Sequence, residues 1–190
     1  SEHTESLAAR VRETGAHLGL ALDGDGDRLV AVDASGRRLT GDQVLMILAA
    51  DLKKQGALAG DLLVTTVMSN LGLVEACRRL GLRHHAAAVG DRFVLEDMQR
   101  LGGVLGGEES GHMIFLNHHT TGDGILSGLQ LLACMARNRA NLSELTSIME
   151  VFPQALVNVE VSTKPDIQTL PNVVRAIRDV EAELGEQGRV

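Results

Sequence analysis

The segment Leu22-Asp23-Gly24-Asp25-Gly26-Asp27-Arg28 sets three carboxylates in alternation with glycines, between two apolar runs. In extended backbone, alternate side chains share one side. Glycine lets such a loop curl around an ion, because no Cβ obstructs it. Three hard oxygen donors suit Mg²⁺, which keeps further positions for water or a phosphate oxygen. Asp23, Asp25 and Asp27 are therefore the candidate metal ligands. The plain alternative is a solvated acidic turn. An EF-hand loop fails, since its sixth position would be Arg28 in place of Gly and its twelfth Ala34 in place of Glu. A haloacid-dehalogenase-type Asp-x-Asp start is disfavoured by Asp27, which stands where Thr or Val usually follows.

A second group lies at Gly106-Gly107-Glu108-Glu109-Ser110-Gly111-His112. Two carboxylates, a hydroxyl and an imidazole on a glycine-freed loop can hydrogen-bond vicinal sugar hydroxyls; the alternative is a polar hairpin turn. Val89-Gly90-Asp91-Arg92 opens a helix. Its backbone N–H groups, with Arg92 beside them, can receive an anion, or Asp91 can simply cap. Thr120-Thr121-Gly122-Asp123-Gly124 reads as a helix cap. The pairs His84-His85 and His118-His119 read as loop or surface histidines, because neighbours in a strand face opposite ways.

The elements that must hold these loops follow from hydrophobic periodicity. Helices are expected over Glu5–Thr14, Gly41–Gln55, from a cap at Ser69 or Asn70 through Leu80, and over Asp91–Leu101, Asp123–Asn138, Leu142–Phe152 and Leu170–Leu184. Strands are expected over His17–Leu22 (buried), Leu29–Val32, Asp61–Met68, Arg83–Val89, Gly103–Gly106, Met113–Leu116 and Gln154–Ser162. From about Leu39 to Phe152, β and α alternate, which implies a layered α/β domain with a largely parallel sheet. One helix and two strands before it, and a strand and a helix after it, look like parts of flanking domains.

The chain has 190 residues, enough for a substantial core without staples. Its net charge of −7 argues against a general affinity for nucleic acid or an anionic membrane. No apolar run approaches the ~18 residues of a membrane span, and the polar, acidic N-terminal stretch does not read as a signal peptide. The two cysteines, Cys77 and Cys134, sit in apolar helical patterns and read as buried free thiols of a reducing cytoplasm. With 2% aromatic residues, and neither Trp nor Tyr, a sugar site built on stacked rings is not expected.

Taken in order, these motifs resemble the α-D-phosphohexomutase superfamily. The residues that carry the resemblance are Ala21 through Arg28, Val67-Met68-Ser69-Asn70-Leu71-Gly72, Val89 through Val94, Gly107 through His112, Thr120 through Gly124, Phe152-Pro153-Gln154 and Val157-Asn158-Val159. The Met68–Gly72 and Gly90–Arg92 stretches point to its glucosamine branch. The resemblance implies a layered αβα domain with a mostly parallel mixed sheet. Residues 1–38 would be the end of a second domain, 39–153 a complete third domain, and 154–190 a linker and the start of a fourth. It implies a mutase that interconverts glucosamine 6-phosphate and glucosamine 1-phosphate through a phosphoserine and a sugar bisphosphate, feeding UDP-N-acetylglucosamine and the cell wall. Asp23, Asp25 and Asp27 would hold Mg²⁺, and Arg28 and His112 would serve the reaction. Glu108, Ser110, Gly90, Asp91 and Arg92 would bind the hexosamine phosphate and its bisphosphate. A homodimer of the whole enzyme is compatible with it. The family's Ser-His-Asn-Pro and Ser-Gly-Thr-Glu-Pro segments are absent, so the chain alone is expected to be inactive. A glucose/mannose mutase and a non-catalytic Mg²⁺ or sugar-phosphate module are the alternatives.

Overall fold

Helix α1 (Glu5–Thr14) leads into the hairpin β1 (Leu18–Leu22) and β2 (Leu29–Asp33) in a computed structural model that describes residues 4–155, 157, 159–185, 188 and 190. The hairpin is antiparallel, with Leu18 opposite Asp33 and Leu22 opposite Leu29. The acidic loop is its tip. Strand β1 is only half covered, and Leu22 is 42% exposed, so the expected burial of that strand does not hold. Its buried point is Gly19, where a Cβ would fall 2.6 Å from a Val11 methyl; the missing side chain lets α1 pack down on the hairpin.

Helix α2 (Gly41–Lys54) follows, closed at its start by a capping box between Thr40 and Gln43. Every residue from Gly41 to Ala49 is buried, which makes α2 the central rod of the domain. Then come β3 (Leu62–Thr66), α3 (Leu71–Arg79), β4 (Arg83–Ala87), α4 (Asp91–Leu101), β5 (Leu105–Gly107), β6 (Met113–Phe115) and α5 (Gly124–Asn138). The sheet runs in the order β4-β3-β5-β6. Its β3–β4 and β3–β5 pairs are parallel, and β5–β6 is antiparallel.

The strand alternation supplies two cores. Leu63, Leu105, Met113 and Phe115 face α2, α3 and α5 with Leu45, Leu48, Leu73 and Leu131. Leu62, Val64, Ala87 and Ile114 face α4 with Val94 and Met98. Helices cover both faces, as the αβα reading requires.

Two expected elements differ. The helix expected over Leu142–Phe152 stops after one turn, as α6 (Leu142–Leu145), followed by a 3₁₀ turn over Thr146–Ile148. Hydroxyls there bond to backbone in place of helix propagation: Thr146 Oγ1 to the Ser143 carbonyl and Ser147 Oγ to the Glu144 carbonyl. The strand expected over Gln154–Ser162 is also not formed among its described residues; Leu156 and Asn158 lie outside them. Val157, Val159 and Val161 are exposed there.

The chain divides into two compact units, Ser1–Phe152 and Pro153–Val190. The second contains a 3₁₀ turn (Ile167–Thr169) and α7 (Pro171–Leu184), and none of its described residues is buried. Among the described residues, no helix is long and apolar enough to cross a membrane. Cys77 and Cys134 are buried and free.

Candidate functional site

Four loops meet around one imidazole. The acidic loop arrives from the β1–β2 hairpin, and Glu108–His112 joins β5 to β6. Gly90-Asp91 lies past the carboxyl end of β4, and Thr120–Gly124 leads into α5. The loops after β4 and β5 leave the carboxyl ends of parallel strands, where open α/β sheets place ligands.

The acidic loop is tied by its first carboxylate. Asp23 Oδ1 accepts from the backbone N–H of Gly26 (3.0 Å) and of Arg28 (3.3 Å). Gly26 has φ +77, which an L side chain rarely adopts. The Arg28 guanidinium lies 3.7 Å from Asp23. Burial pushes the Asp23 carboxyl up. The Arg28 N–H, a hydrogen bond with Asp27, the Gly26 N–H and the Arg28 charge together outweigh that and hold it below the usual range. Asp25 is exposed. Asp27 lies 3.6 Å from His112 Nε2.

Among the described residues, no three His, Cys, Asp or Glu side chains gather at one point as a metal requires. The structure engages Asp23 with its own loop, turns Asp27 toward His112 and leaves Asp25 exposed. The donor chemistry still fits a hard cation. Asp23, Asp25 and Asp27 are hard oxygen donors on one loop, and a Cβ built at Gly24 or Gly26 would meet nothing within 4 Å.

The Glu108–His112 loop is fixed from several sides. Glu108 N donates to the His112 carbonyl, and Gly111 N to the Glu108 carbonyl. Leu29 N donates to Gly111 O, and Gly41 N, at the start of α2, donates to Glu109 O. A Cβ on Gly111 would fall 2.2 Å from Leu29 O, so the acidic hairpin and this loop touch backbone to backbone. Glu108 accepts from Gly90 N (3.0 Å) through one oxygen and from Ser110 Oγ (3.4 Å) through the other. One carboxylate thus locks two of the loops together.

His112 sits at the centre, 3% exposed. Neither ring nitrogen makes a hydrogen bond among the described residues. Nε2 faces Asp27 at 3.6 Å and Asp91 at 3.9 Å, both beyond hydrogen-bonding range. Such burial with open valences is uncommon, since buried polar groups are normally paired.

The structure therefore assembles Asp23, Asp27, Arg28, Gly90, Asp91, Glu108, Ser110 and His112. Arg92 stands outside the group, its Nε bonded to Glu96 one turn along α4. Asp123 caps α5 by accepting from Leu126 N, as expected. The same loop also does what the sequence reading missed. Gly124 N donates to Gly26 O of the acidic loop, and Gly122 lies against the His112 ring. A cavity of about 750 Å³, lined by Asp33, Arg37, Thr146 and Glu150 among others, contains none of the predicted site residues.

Residues 40–152 match the family model for the phosphoglucomutase/phosphomannomutase alpha/beta/alpha domain III. The chain belongs to the phosphoglucomutase/phosphomannomutase family. Within that family it is 65% identical, over its whole length, to a phosphoglucosamine mutase of Syntrophobacter fumaroxidans, and 52% identical to that of Syntrophus aciditrophicus. It spans 42% of the length of each. Among solved structures, a family protein from Burkholderia thailandensis matches with a TM-score of 0.68 at 28% identity, over 82% of this chain and 33% of that one. Aspergillus fumigatus N-acetylphosphoglucosamine mutase, in complex with GlcNAc-6P and magnesium, shares the fold with a TM-score of 0.72 at 20% identity, over 86% and 43% of the two chains.

Proposed function

We propose that this chain is part of a phosphoglucosamine mutase that interconverts glucosamine 6-phosphate and glucosamine 1-phosphate in the cytoplasm. On this reading residues 1–38 end the second domain, 39–153 form the third, and 154–190 begin the fourth. The phosphoryl-carrying serine belongs to the part of the relatives that the chain does not span. The observation that carries the reading is the convergence of the acidic loop, the Glu108 loop and Gly90-Asp91 on a buried imidazole with both nitrogens open. The identity of this chain, over its own length, to part of the phosphoglucosamine mutases supports the choice of substrate.

Each residue has a task. Asp23, Asp25 and Asp27 would hold Mg²⁺, which neutralises charge on a phosphoryl group in transfer. Arg28, exposed at the rim of the same loop, supplies a cation for a phosphate oxygen. Glu108 and Ser110 accept from and donate to sugar hydroxyls; their present bonds to Gly90 and to each other pre-set both groups. His112 Nε2 takes the proton from an attacking sugar hydroxyl and returns it to the departing one. Asp27 and Asp91 flank that nitrogen at 3.6 and 3.9 Å. Gly90 shapes the approach, since its φ of +126 is a backbone position for glycine.

The test uses the full-length parent with glucosamine, glucose and mannose 6-phosphates. The expected result is a kcat/KM for the glucosamine ester at least 100-fold above the others. Preference for glucose or mannose would move the protein to that branch, and absence of turnover with all three would leave a binding module. In the same assay, Glu108→Ala is expected to raise KM for the sugar phosphate about tenfold or more, the effect of losing one charged hydrogen bond.

A further inference from the structure

We propose that Gly122 is a positioning residue: it reserves the space that holds the His112 imidazole in its working orientation. A buried ring with no hydrogen bond among the described residues depends on the atoms packed on it for its orientation, and these include Gly122. A Cβ built at Gly122 would fall 2.3 Å from His112 Nε2, 2.4 Å from Cδ2 and 2.7 Å from Cε1. All three contacts lie far inside van der Waals range. Gly122 is not among the glycines with positive φ, so the turn itself does not require glycine here. The missing side chain serves the ring.

Neither partner can retreat cheaply. The loop is fixed on its far side by Gly124 N to Gly26 O and by the Asp123 cap on Leu126 N. Gly124 sits close against the hairpin backbone: a Cβ built there would fall 2.8 Å from Arg28 O and 2.9 Å from Gly26 O. The backbone of His112 is held by Glu108 N on its carbonyl and by an antiparallel bridge to Arg28. A methyl at Gly122 must therefore turn the ring about its side-chain torsions and move Nε2 relative to Asp27 and Asp91. Displacements of about 1 Å at a reacting group cost on the order of 10²-fold in rate. The proposal rests on the reading of His112 as the proton-handling group.

The experiment compares Gly122→Ala, His112→Ala and the double variant in the full-length parent, with glucosamine 6-phosphate as substrate. Gly122→Ala is expected to lower kcat about 100-fold with KM changed less than threefold. The double variant is expected to be no slower than His112→Ala, because the methyl then has no ring to displace. A Gly122→Ala kcat within threefold of the parent overturns the proposal, as do losses that multiply in the double variant. Should Gly122→Ala fail to fold, removal of the ring is expected to rescue it: the double variant should recover soluble protein and a parent-like melting temperature, and a misfolded double variant overturns the idea. His112→Ala separates the two readings. A parent-like kcat there removes the imidazole from the reaction, and the role of Gly122 is then decided by NMR of the ring. Gly122→Ala should shift the side-chain signals of one histidine, and unchanged signals overturn it.

Discussion

Asp33 shows how a single buried carboxylate sets a pH limit on the fold. It is 1% exposed at the end of β2. Burial alone pushes its pKa up, but Ser35 Oγ, the Arg37 N–H, Ser143 Oγ and the Ser35 N–H all donate to it and bring it down to about 2 from 3.8. The Arg37 side chain adds an ion pair at 3.2 Å. A folded-state pKa below the unfolded one gives stability that is present above pH ~4 and lost as pH falls through about 2. The shift corresponds to about 2 kcal/mol. Asp33→Asn is therefore expected to lower the urea midpoint at pH 7, and the gap to the parent should close between pH 4 and pH 2. A gap that stays constant over that range would rule out ionisation as its source. At this scale the acidic loop was legible, because alternating Asp and Gly between apolar runs is a rare pattern. Gly122 was not, because its backbone is ordinary and its reason for being glycine is a ring ten residues away.

Between elements, the segment Ser69-Asn70-Leu71-Gly72 acts as a clamp as well as a helix start. Asn70 accepts from Gly72 N and so caps α3. The same side chain donates to the Phe152 carbonyl (2.8 Å) and accepts from Phe152 N (2.9 Å), gripping the last residue of the first unit as a neighbouring strand would. Its own N–H donates to the buried Asp42 near the start of α2 (2.6 Å). Gly72 lets the chain pass, since a Cβ there would fall 1.7 Å from the Glu150 carbonyl. Asn70→Ala would leave both backbone groups of Phe152 and an α3 N–H without their partner. The expected cost is about 2–4 kcal/mol, read as a lower denaturant midpoint together with faster proteolytic cleavage near residues 149–153. A parent-like cleavage rate would mean that other contacts hold this segment. This clamp also explains why periodicity overran. From Leu142 to Phe152 the apolar spacing is helical, yet side-chain bonds from Ser143, Thr146, Ser147 and Asn70 draw the backbone out of the helix. Where hydrophobic pattern alone decides, as in α2, α4 and α5, expected and observed helices agree to within a residue.

On the scale of the whole molecule, the site is assembled from segments separated by about a hundred residues, and each hydrogen bond between loops serves both architecture and chemistry. The three aspartates divide along that line. Asp23 bonds to the backbone of its own loop, whereas Asp25 is exposed and makes no side-chain hydrogen bond among the described residues. A cation bound to the native state raises the melting temperature by mass action. The full-length parent is therefore expected to melt at a higher temperature as Mg²⁺ is raised through the millimolar range. Asp25→Asn should abolish that rise while leaving the melting temperature in chelator unchanged, because no part of the fold depends on its charge. Asp23→Asn should lower the melting temperature even in chelator, because a neutral amide oxygen accepts the Gly26 and Arg28 N–H groups more weakly and gives up the attraction to the Arg28 guanidinium. Equal behaviour of the two variants in chelator would contradict the division of labour. A Mg²⁺ response that survives Asp25→Asn would place the ion elsewhere than on this loop.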